Sequence, residues 1–228
     1  MNVTIRQPAG IGDIFYCQKI GVKLLELGFN VFWPVIPEYN YVGDYIDNGI
    51  LWRESPYDSF ELNLNKSTSY FYPKGSADVI TNLMPSKYRL ANKYYDVGDN
   101  SDWLSYFNFK RNHAKEEELF NLLELKEDED YSLINPWVAS PPLSQKMKIP
   151  SCKYKVVEMQ TIPGFSLFDW CKVLENATEI CTTDSALALI VEKLKTKKPN
   201  KYTIILRRPD KSVVSGMYSL DWNYITGV

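Results

Sequence analysis

Histidine is almost absent from this 228-residue sequence, and its cysteines do not occur at the spacing of a paired motif. The single histidine is His113, and none of the four cysteines belongs to a Cys-x-x-Cys pair. A zinc site built on two or three histidines is therefore impossible, and we predict no metal site. We interpret the cysteines as reduced thiols, because two disulfides are an unusual framework for so long a chain. His113 lies in a polar run before a helical pattern, which favours an exposed helix-entry residue over a catalytic base.

The sequence also lacks a long apolar run and a strong excess of charge. No stretch approaches the ~18–20 apolar residues of a membrane helix, and the N-terminus lacks the apolar segment of a signal peptide. We therefore expect a cytoplasmic protein without a membrane span. A formal net charge of −2 excludes a globally basic nucleic-acid binder. The locally basic segment 193–211 either attracts an anionic acceptor, such as nucleic acid or a charged glycan, or is a solvated helix end.

Strand and helix patterns alternate in the first part of the sequence. Residues 2–7 have the pattern of a short strand that leads into a glycine-containing turn. Apolar residues then recur at helical spacing over 14–27, and Gly28 ends that pattern as a C-terminal glycine should. Residues 31–36 form a second apolar strand pattern. A strand–helix–strand unit of this kind implies a parallel sheet.

The alternation restarts in the second part of the sequence, after the acidic run 127–130. We interpret that run as a linker, because four consecutive carboxylates favour a solvated segment. Strand patterns follow at 131–136, 154–159, 178–182 and 201–206, with helical patterns at 167–176 and 184–194. The sequence therefore predicts an α/β fold of two Rossmann-like lobes facing a cleft, an N-terminal lobe at 1–126 and a C-terminal lobe at 131–228.

The first candidate site is the turn Gly10-Ile11-Gly12-Asp13 between the first strand and its helix. Open α/β sheets bind ligands at the carboxyl ends of their strands, and glycines let the backbone approach a ligand closely. A third glycine at the dinucleotide spacing is missing, so the NAD fingerprint fails, and there is no Gly-Lys-Ser/Thr of a Walker loop. Asp13 either caps the helix or is a functional carboxylate.

The second candidate site is Thr183-Asp184-Ser185, at a strand-to-helix turn in the second half. Hydroxyl groups and free backbone N–H groups at a helix start bind phosphates well. The alternative is an ordinary helix in which Thr183 or Asp184 is the cap. Two such turns at the carboxyl ends of strands are more informative together than either is alone.

These two turns resemble those of heptosyltransferase-type glycosyltransferases, the glycosyltransferase family 9 type. The resemblance rests on the Gly-Ile-Gly-Asp turn and on the Thr-Asp-Ser motif after a later strand. A looser likeness to small phage or viral glycosyltransferases lies in residues 163–170. The family implies a GT-B fold and metal-independent transfer of a sugar from a nucleotide-sugar to an acceptor hydroxyl. The donor is then a substrate, and no cofactor is expected.

The resemblance assigns roles to individual residues. Asp13 becomes the general base of an acceptor-binding N-terminal lobe, with Gly10 and Gly12 beside the substrate. The C-terminal lobe becomes the nucleotide-sugar lobe, where a cation, Lys146 or else Lys148, joins the helix start. The residues expected to contact the donor are Ser140, Lys146, Phe165, Thr183, Asp184 and Ser185, and Phe165 would stack on the base.

Other functions stay open at this stage. Leu189 stands where the family has a histidine that faces the donor, which favours a non-catalytic nucleotide- or sugar-binding module of the same fold. A methyltransferase is a weaker alternative, because Gly-x-Gly after a first strand can hold S-adenosylmethionine. The expected partners are a nucleotide-sugar and an acceptor glycan or other hydroxyl-bearing molecule. The sugar, the acceptor, the stereochemical outcome and the oligomeric state are left open by the sequence.

Overall fold

Two separate parallel β-sheets organise the chain in the computed structural model. The structure describes residues 1–8, 10–54, 56–64, 83–140, 143–196, 198–199, 201–206 and 217–226. The chain divides into two units, Met1–Lys110 and Arg111–Val228, and each unit contains one of the two sheets. Parallel sheets with helices in their crossovers match the predicted α/β class.

The sheet of the first unit has its earliest strand in the middle. Its strands are β1 (Asn2–Ile5), β2 (Asn30–Phe32) and β3 (Phe60–Leu62), in the order β2-β1-β3 and all parallel. Val3 and Ile5 of β1 are fully buried. After β1 the chain forms β2 on one side of it and later forms β3 on the other side. The strand order therefore reverses at β1, and ligands bind at such a reversal in open α/β sheets.

The helices described in the first unit include the one that follows the glycine turn. They are α1 (Ile11–Tyr16), α2 (Gln18–Glu26), α3 (Val42–Tyr45), α4 (Leu83–Asn92) and α5 (Trp103–Tyr106). The helix predicted over 14–27 is thus two helices that meet at Cys17. The predicted end at Gly28 is confirmed, because its N–H donates to the Leu25 carbonyl at 2.9 Å with a φ of 85°.

The sheet of the second unit is larger and also entirely parallel. Its strands are β4 (Tyr131–Asn135), β7 (Lys155–Glu158), β8 (Glu179–Thr183), β9 (Lys201–Leu206) and β10 (Trp222–Thr226), in the order β10-β9-β8-β4-β7. An antiparallel hairpin, β5 (Trp137–Ser140) with β6 (Leu143–Lys146), follows β4 directly. The first strand of the sheet, β4, has β7 on one side and β8 on the other. The strand order therefore reverses between β4 and β8.

Three α-helices are described in the second unit. They are α6 (His113–Leu122), α7 (Cys171–Asn176) and α8 (Ala186–Leu194), with a 3₁₀ turn at Leu167–Trp170 before α7. His113 begins α6 and its side chain is exposed, as the sequence predicted for a helix-entry residue. All four cysteines are free thiols. None of the described helices has the length and apolar character of a bilayer-spanning segment.

Helix α6 belongs to the second unit, although the predicted N-terminal lobe extended to residue 126. The guanidinium of Arg111 hydrogen-bonds to Glu116 on α6 and, at 2.7 Å, to Glu175 on α7. The acidic run 127–130 is also held within this unit. Lys172 lies 2.9 Å from the Glu127 carboxylate, and other lysines bind neighbouring groups of the run. These contacts agree with a second unit that begins at Arg111 and includes the acidic run.

Candidate functional site

Polar side chains converge where the strand order of the second sheet reverses. Asn135 ends β4, and its register partner on β8 is Thr182. The Asn135 side-chain amide donates to the Thr182 hydroxyl and to the Ser185 hydroxyl, each at 3.2 Å. Thr182 is fully buried, and its hydroxyl lies 3.3 Å from that of Ser185. The carboxyl ends of β4 and β8 are thereby joined by three hydroxyl and amide groups beside the start of α8.

Ser185 is the residue that precedes α8. Its backbone is extended, with φ −143° and ψ 175°, and its side chain makes no capping hydrogen bond. Neither Thr183 nor Asp184, the two caps considered from the sequence, holds that position. The Thr183 hydroxyl donates to the Trp137 carbonyl at 3.0 Å, and the Asp184 N–H donates to the Ile205 carbonyl at 3.2 Å. The structure thus brings the predicted Thr183, Asp184 and Ser185 to one turn at the N-terminus of a nine-residue helix.

The hairpin after β4 carries the predicted cation. The Lys146 ammonium lies 2.8 and 2.9 Å from the two carboxylate oxygens of Glu158, the last residue of β7. Chiefly because of this hydrogen bond, the pKa of the Glu158 carboxyl is lowered. Lys148 is exposed. Ser140 ends β5, and its side chain lies outside the described part of the structure.

Phe165 lies in a turn that follows the carboxyl end of β7. Its N–H donates to the Ile162 carbonyl at 3.1 Å, and Gly164 before it has a φ of 87°. Lys115 on α6 donates to the Gly164 carbonyl at 2.8 Å, so the turn is tied to that helix. The Phe165 side chain is half-buried.

The predicted glycine turn of the first unit fixes the position of Asp13. Gly10 is the residue that caps α1, and Asp13 is the third residue of the helix. Gly10 has a φ of 77°, and a Cβ atom there would lie 2.6 Å from an Asp13 carboxylate oxygen. Gly12 lies within α1 and is half-buried. The Asp13 side chain is 32% exposed, so the carboxylate is reachable by a substrate.

A buried lysine beside Asp13 was not anticipated from the sequence. Lys87 on α4 is 3% exposed, and its ammonium lies 2.6 Å from the Gln7 side-chain oxygen. The same ammonium lies 3.4 Å from the Leu64 carbonyl and 4.0 Å from an Asp13 carboxylate oxygen. Periodicity gave no signal for Lys87, because a lysine on a helix is normally solvated. Asn135 was missed as well, although a polar residue at the carboxyl end of a parallel strand is a usable signal.

Among the described residues, no group of three or more His, Cys, Asp or Glu side chains is arranged to hold a metal ion. The site residues instead fall into two sets, one in each unit. The first set surrounds Asp13, and the second surrounds the start of α8. Each set lies at the carboxyl end of a central parallel strand, where the strand order of its own sheet reverses.

Comparison with known proteins defines the fold. The sequence matches no protein-family model and no curated protein. The structure is similar to that of a glycosyl transferase family 9 protein from Veillonella parvula DSM 2008, with a TM-score of 0.56 and 9% identity over 99% of this chain and 86% of that one. It is also similar to the dodecameric iron-containing heptosyltransferase TibC in complex with ADP-D-β-D-heptose, with a TM-score of 0.51 and 10% identity over 99% of this chain and 62% of that one. The predicted α/β, GT-B-like fold class is thereby confirmed.

Proposed function

We propose that this protein is a metal-independent glycosyltransferase that moves a sugar from a nucleotide-sugar to an acceptor hydroxyl. The second unit holds the donor, and the first unit supplies Asp13 as the general base. Fold similarity to glycosyltransferases, one of them bound to an ADP-sugar, supports this proposal. The observation that carries it is local: Asn135, Thr182 and Ser185 meet at the start of α8.

The start of α8 has the chemistry that a diphosphate needs. Thr183, Asp184 and Ser185 surround a helix N-terminus, which carries about half a positive charge from the aligned peptide dipoles. Hydroxyl and backbone N–H donors fixed at that end stabilise the charge that develops on a departing diphosphate. Lys146 is the proposed cation of this site, and to reach a phosphate it would exchange its bond to Glu158. Lys148 is the second candidate for this role.

The transfer step requires a base as well as a stabilised leaving group. The acceptor oxygen forms a bond to the anomeric carbon, the bond from that carbon to the diphosphate oxygen breaks, and Asp13 takes the acceptor proton. A base must come within about 2.6–3.2 Å of that proton's donor atom. The partial exposure of the Asp13 carboxylate allows such an approach, and Gly10 leaves it room. The proposed acceptor is a glycan or another hydroxyl-bearing molecule.

The proposal is tested by replacing Asp13 with asparagine in the full chain. Asn has a similar size but cannot accept a proton, so the transfer rate should fall roughly 10²–10⁴-fold. The melting temperature and the affinity for the donor nucleotide should stay close to those of the parent protein. Asp44→Asn is the matched control, because Asp44 is an exposed carboxylate in the first turn of α3. Release of nucleoside diphosphate from ADP-, UDP-, GDP- and CMP-sugars, with CMP as the product from the last, is the readout. Near-parental turnover in Asp13→Asn would show that Asp13 is not the base.

The alternative is a nucleotide- or sugar-binding module without turnover. It is favoured by Leu189, which stands where the resembled family has a histidine and whose side chain is only 1% exposed inside α8. A core leucine offers no polar group to a donor. Stabilisation by a nucleotide-sugar without any product release would support this alternative, since a ligand at about 100 times its Kd stabilises the folded state by about 2.7 kcal/mol.

A further inference from the structure

Trp137 differs from the other tryptophans of the chain in its exposure. All six tryptophans lie in the described part of the structure, and five of them are 0–7% exposed. Trp137 is 40% exposed, at the first position of the hairpin after β4. More than half of this side chain is buried, and the remainder of its π surface faces solvent. The exposed part of the indole is available for contact with another flat group.

The exposed ring is nevertheless held in one orientation. The Trp137 indole N–H donates to a Glu158 carboxylate oxygen at 3.1 Å. The Lys146 ammonium lies 5.2 Å from the ring centroid and also binds Glu158. We call these three residues the Trp137 cluster. A ring fixed by a hydrogen bond and a cation–π contact loses little freedom when a second flat group stacks on it.

The Trp137 cluster is attached to the candidate diphosphate site through the backbone. The Trp137 carbonyl accepts the Thr183 hydroxyl at 3.0 Å, and its N–H donates to the Asn135 side-chain oxygen at 3.4 Å. Asn135 and Thr183 are the terminal residues of β4 and β8. The exposed ring therefore belongs to the same strand ends that lie beside the start of α8. A ligand with an anionic end and an aromatic end matches this combination.

We propose that Trp137 is the surface on which the nucleobase of the donor stacks. The proposal rests on the proposed function, since it names a second part of the donor, besides the diphosphate, that the second unit binds. Every nucleobase has a π-face, so stacking on Trp137 contributes affinity with little base preference. Glu158, which accepts the indole N–H of Trp137, acts as the positioning residue that holds the ring. Phe165, the stacking residue expected from the sequence, is the competing candidate and is half-buried in its turn.

Calorimetric titration of the full chain separates base stacking from phosphate binding. The probes are ADP, UDP, GDP and CDP, with inorganic pyrophosphate as the base-free control. Trp137→Ala should lower the affinity for the nucleotide that binds best by roughly 5- to 150-fold and leave the affinity for pyrophosphate unchanged. Trp137→Phe should retain most of the nucleotide affinity, because a phenyl ring still stacks. Tyr57→Ala, which removes an exposed aromatic ring of the first unit, should bind all five probes as the parent does.

Tryptophan fluorescence gives a second readout on the unmodified protein. Acrylamide should reach Trp137 far more readily than the five buried tryptophans, and a saturating nucleotide should remove that accessible component. The stacking proposal is overturned if Trp137→Ala binds the nucleotide as tightly as the parent does. It is also overturned if the substitution lowers the affinity for pyrophosphate as much as the affinity for the nucleotide. It is also overturned if the parent binds pyrophosphate as tightly as any nucleotide, a result that leaves the diphosphate site standing. A parent protein that binds neither class of probe would overturn the proposed function itself.

Discussion

Glu192 shows how much a single buried side chain can organise. This residue of α8 is fully buried, and its carboxylate accepts four hydrogen bonds from residues just before β10 and at its first position. The donors are the Ser219 N–H, the Ser219 hydroxyl, the Leu220 N–H and the Trp222 indole N–H, at 2.6–3.0 Å. Glu192 thereby fixes the segment that leads into β10, the edge strand of the second sheet.

Removing that carboxylate should be strongly destabilising. Glu192→Ala leaves several buried donors without an acceptor, and each such group costs about 1–3 kcal/mol. We expect the free energy of unfolding in urea to fall by about 3 kcal/mol or more. Glu118→Ala, an exposed glutamate of α6, should change it by no more than about 0.5 kcal/mol. Equal effects of the two substitutions would contradict the role assigned to Glu192.

Gly10 and Gly28 offer a matched pair for testing the Asp13 site. Both glycines have positive φ angles, so alanine at either position adds backbone strain of about 1 kcal/mol. A Cβ atom at Gly28 meets nothing within 4 Å, whereas at Gly10 it displaces the Asp13 carboxylate. Both variants should lose similar stability by thermal denaturation, and only Gly10→Ala should also lose transfer activity. Parental activity in a folded Gly10→Ala variant would show that the carboxylate position is not critical.

Residue types at the strand ends were predictable, but their partners were not. The Gly10–Asp13 turn and the Thr183–Ser185 turn follow apolar strand patterns, and the position of a turn after a parallel strand is a local property. Lys87 on α4 hydrogen-bonds to the side chain of Gln7, 80 residues away, and no local sequence pattern indicates that partner. Trp137 could not be singled out either, since nothing in a sequence of six tryptophans tells which one is exposed.

Among the elements, the parallel strands were largely predictable and the short additions were not. The strand at 201–206 is confirmed, whereas the predicted strand at 31–36 is only Asn30–Phe32. Pro34 has no N–H to donate to a ladder, which ends the pairing early. The β5–β6 hairpin lies between the predicted strands 131–136 and 154–159, and no strand pattern indicated it, because its two strands are short and β6 is largely polar.

The hairpin is attached to β7 by a contact that depends on pH. The Lys146 hydrogen bond lowers the pKa of Glu158, so the ionised form is favoured in the folded protein. The contact is complete above the ordinary glutamate pKa and is lost as the pH falls through the lowered folded-state value. We expect acid titration of the acrylamide-accessible fluorescence of Trp137 to show this loss. Lys146→Met should move the midpoint to higher pH, and an unchanged midpoint would exclude Lys146 as its cause.

The connection between α6 and α7 depends on Arg111. Its guanidinium neutralises Glu116, whose side chain is 1% exposed, and also binds Glu175. Arg111→Met leaves the Glu116 carboxylate buried without its cation, which should cost about 3–5 kcal/mol of unfolding free energy. Lys110→Met removes a neighbouring ion pair to Asp47 that is exposed on both sides, and should cost less than about 1 kcal/mol. Chemical denaturation of the two variants side by side measures the difference.

At the scale of the whole molecule, the two-part α/β organisation could be predicted from the sequence. Strand and helix patterns alternate, stop at an acidic run and begin again, and the structure has one parallel sheet in each unit. The position of the division was not within reach. The sequence predicts a solvated linker at the acidic run, but Lys155, Lys172 and Lys198 bind the run to the second unit. The sequence does not indicate which distant lysines bind the acidic run.

The parallel order of the second sheet also governs how the protein folds. Ser132 on β4 pairs with Glu179 on β8 across 47 residues, roughly twice the separation at the β4–β7 and β8–β9 pairings. Closing the longer loop loses more chain entropy, so this pairing should form late. It is the pairing that brings Asn135 to Thr182 and Ser185. In refolding from urea, ligand-binding competence should therefore appear after most of the helical circular dichroism signal, and simultaneous recovery would argue against this order.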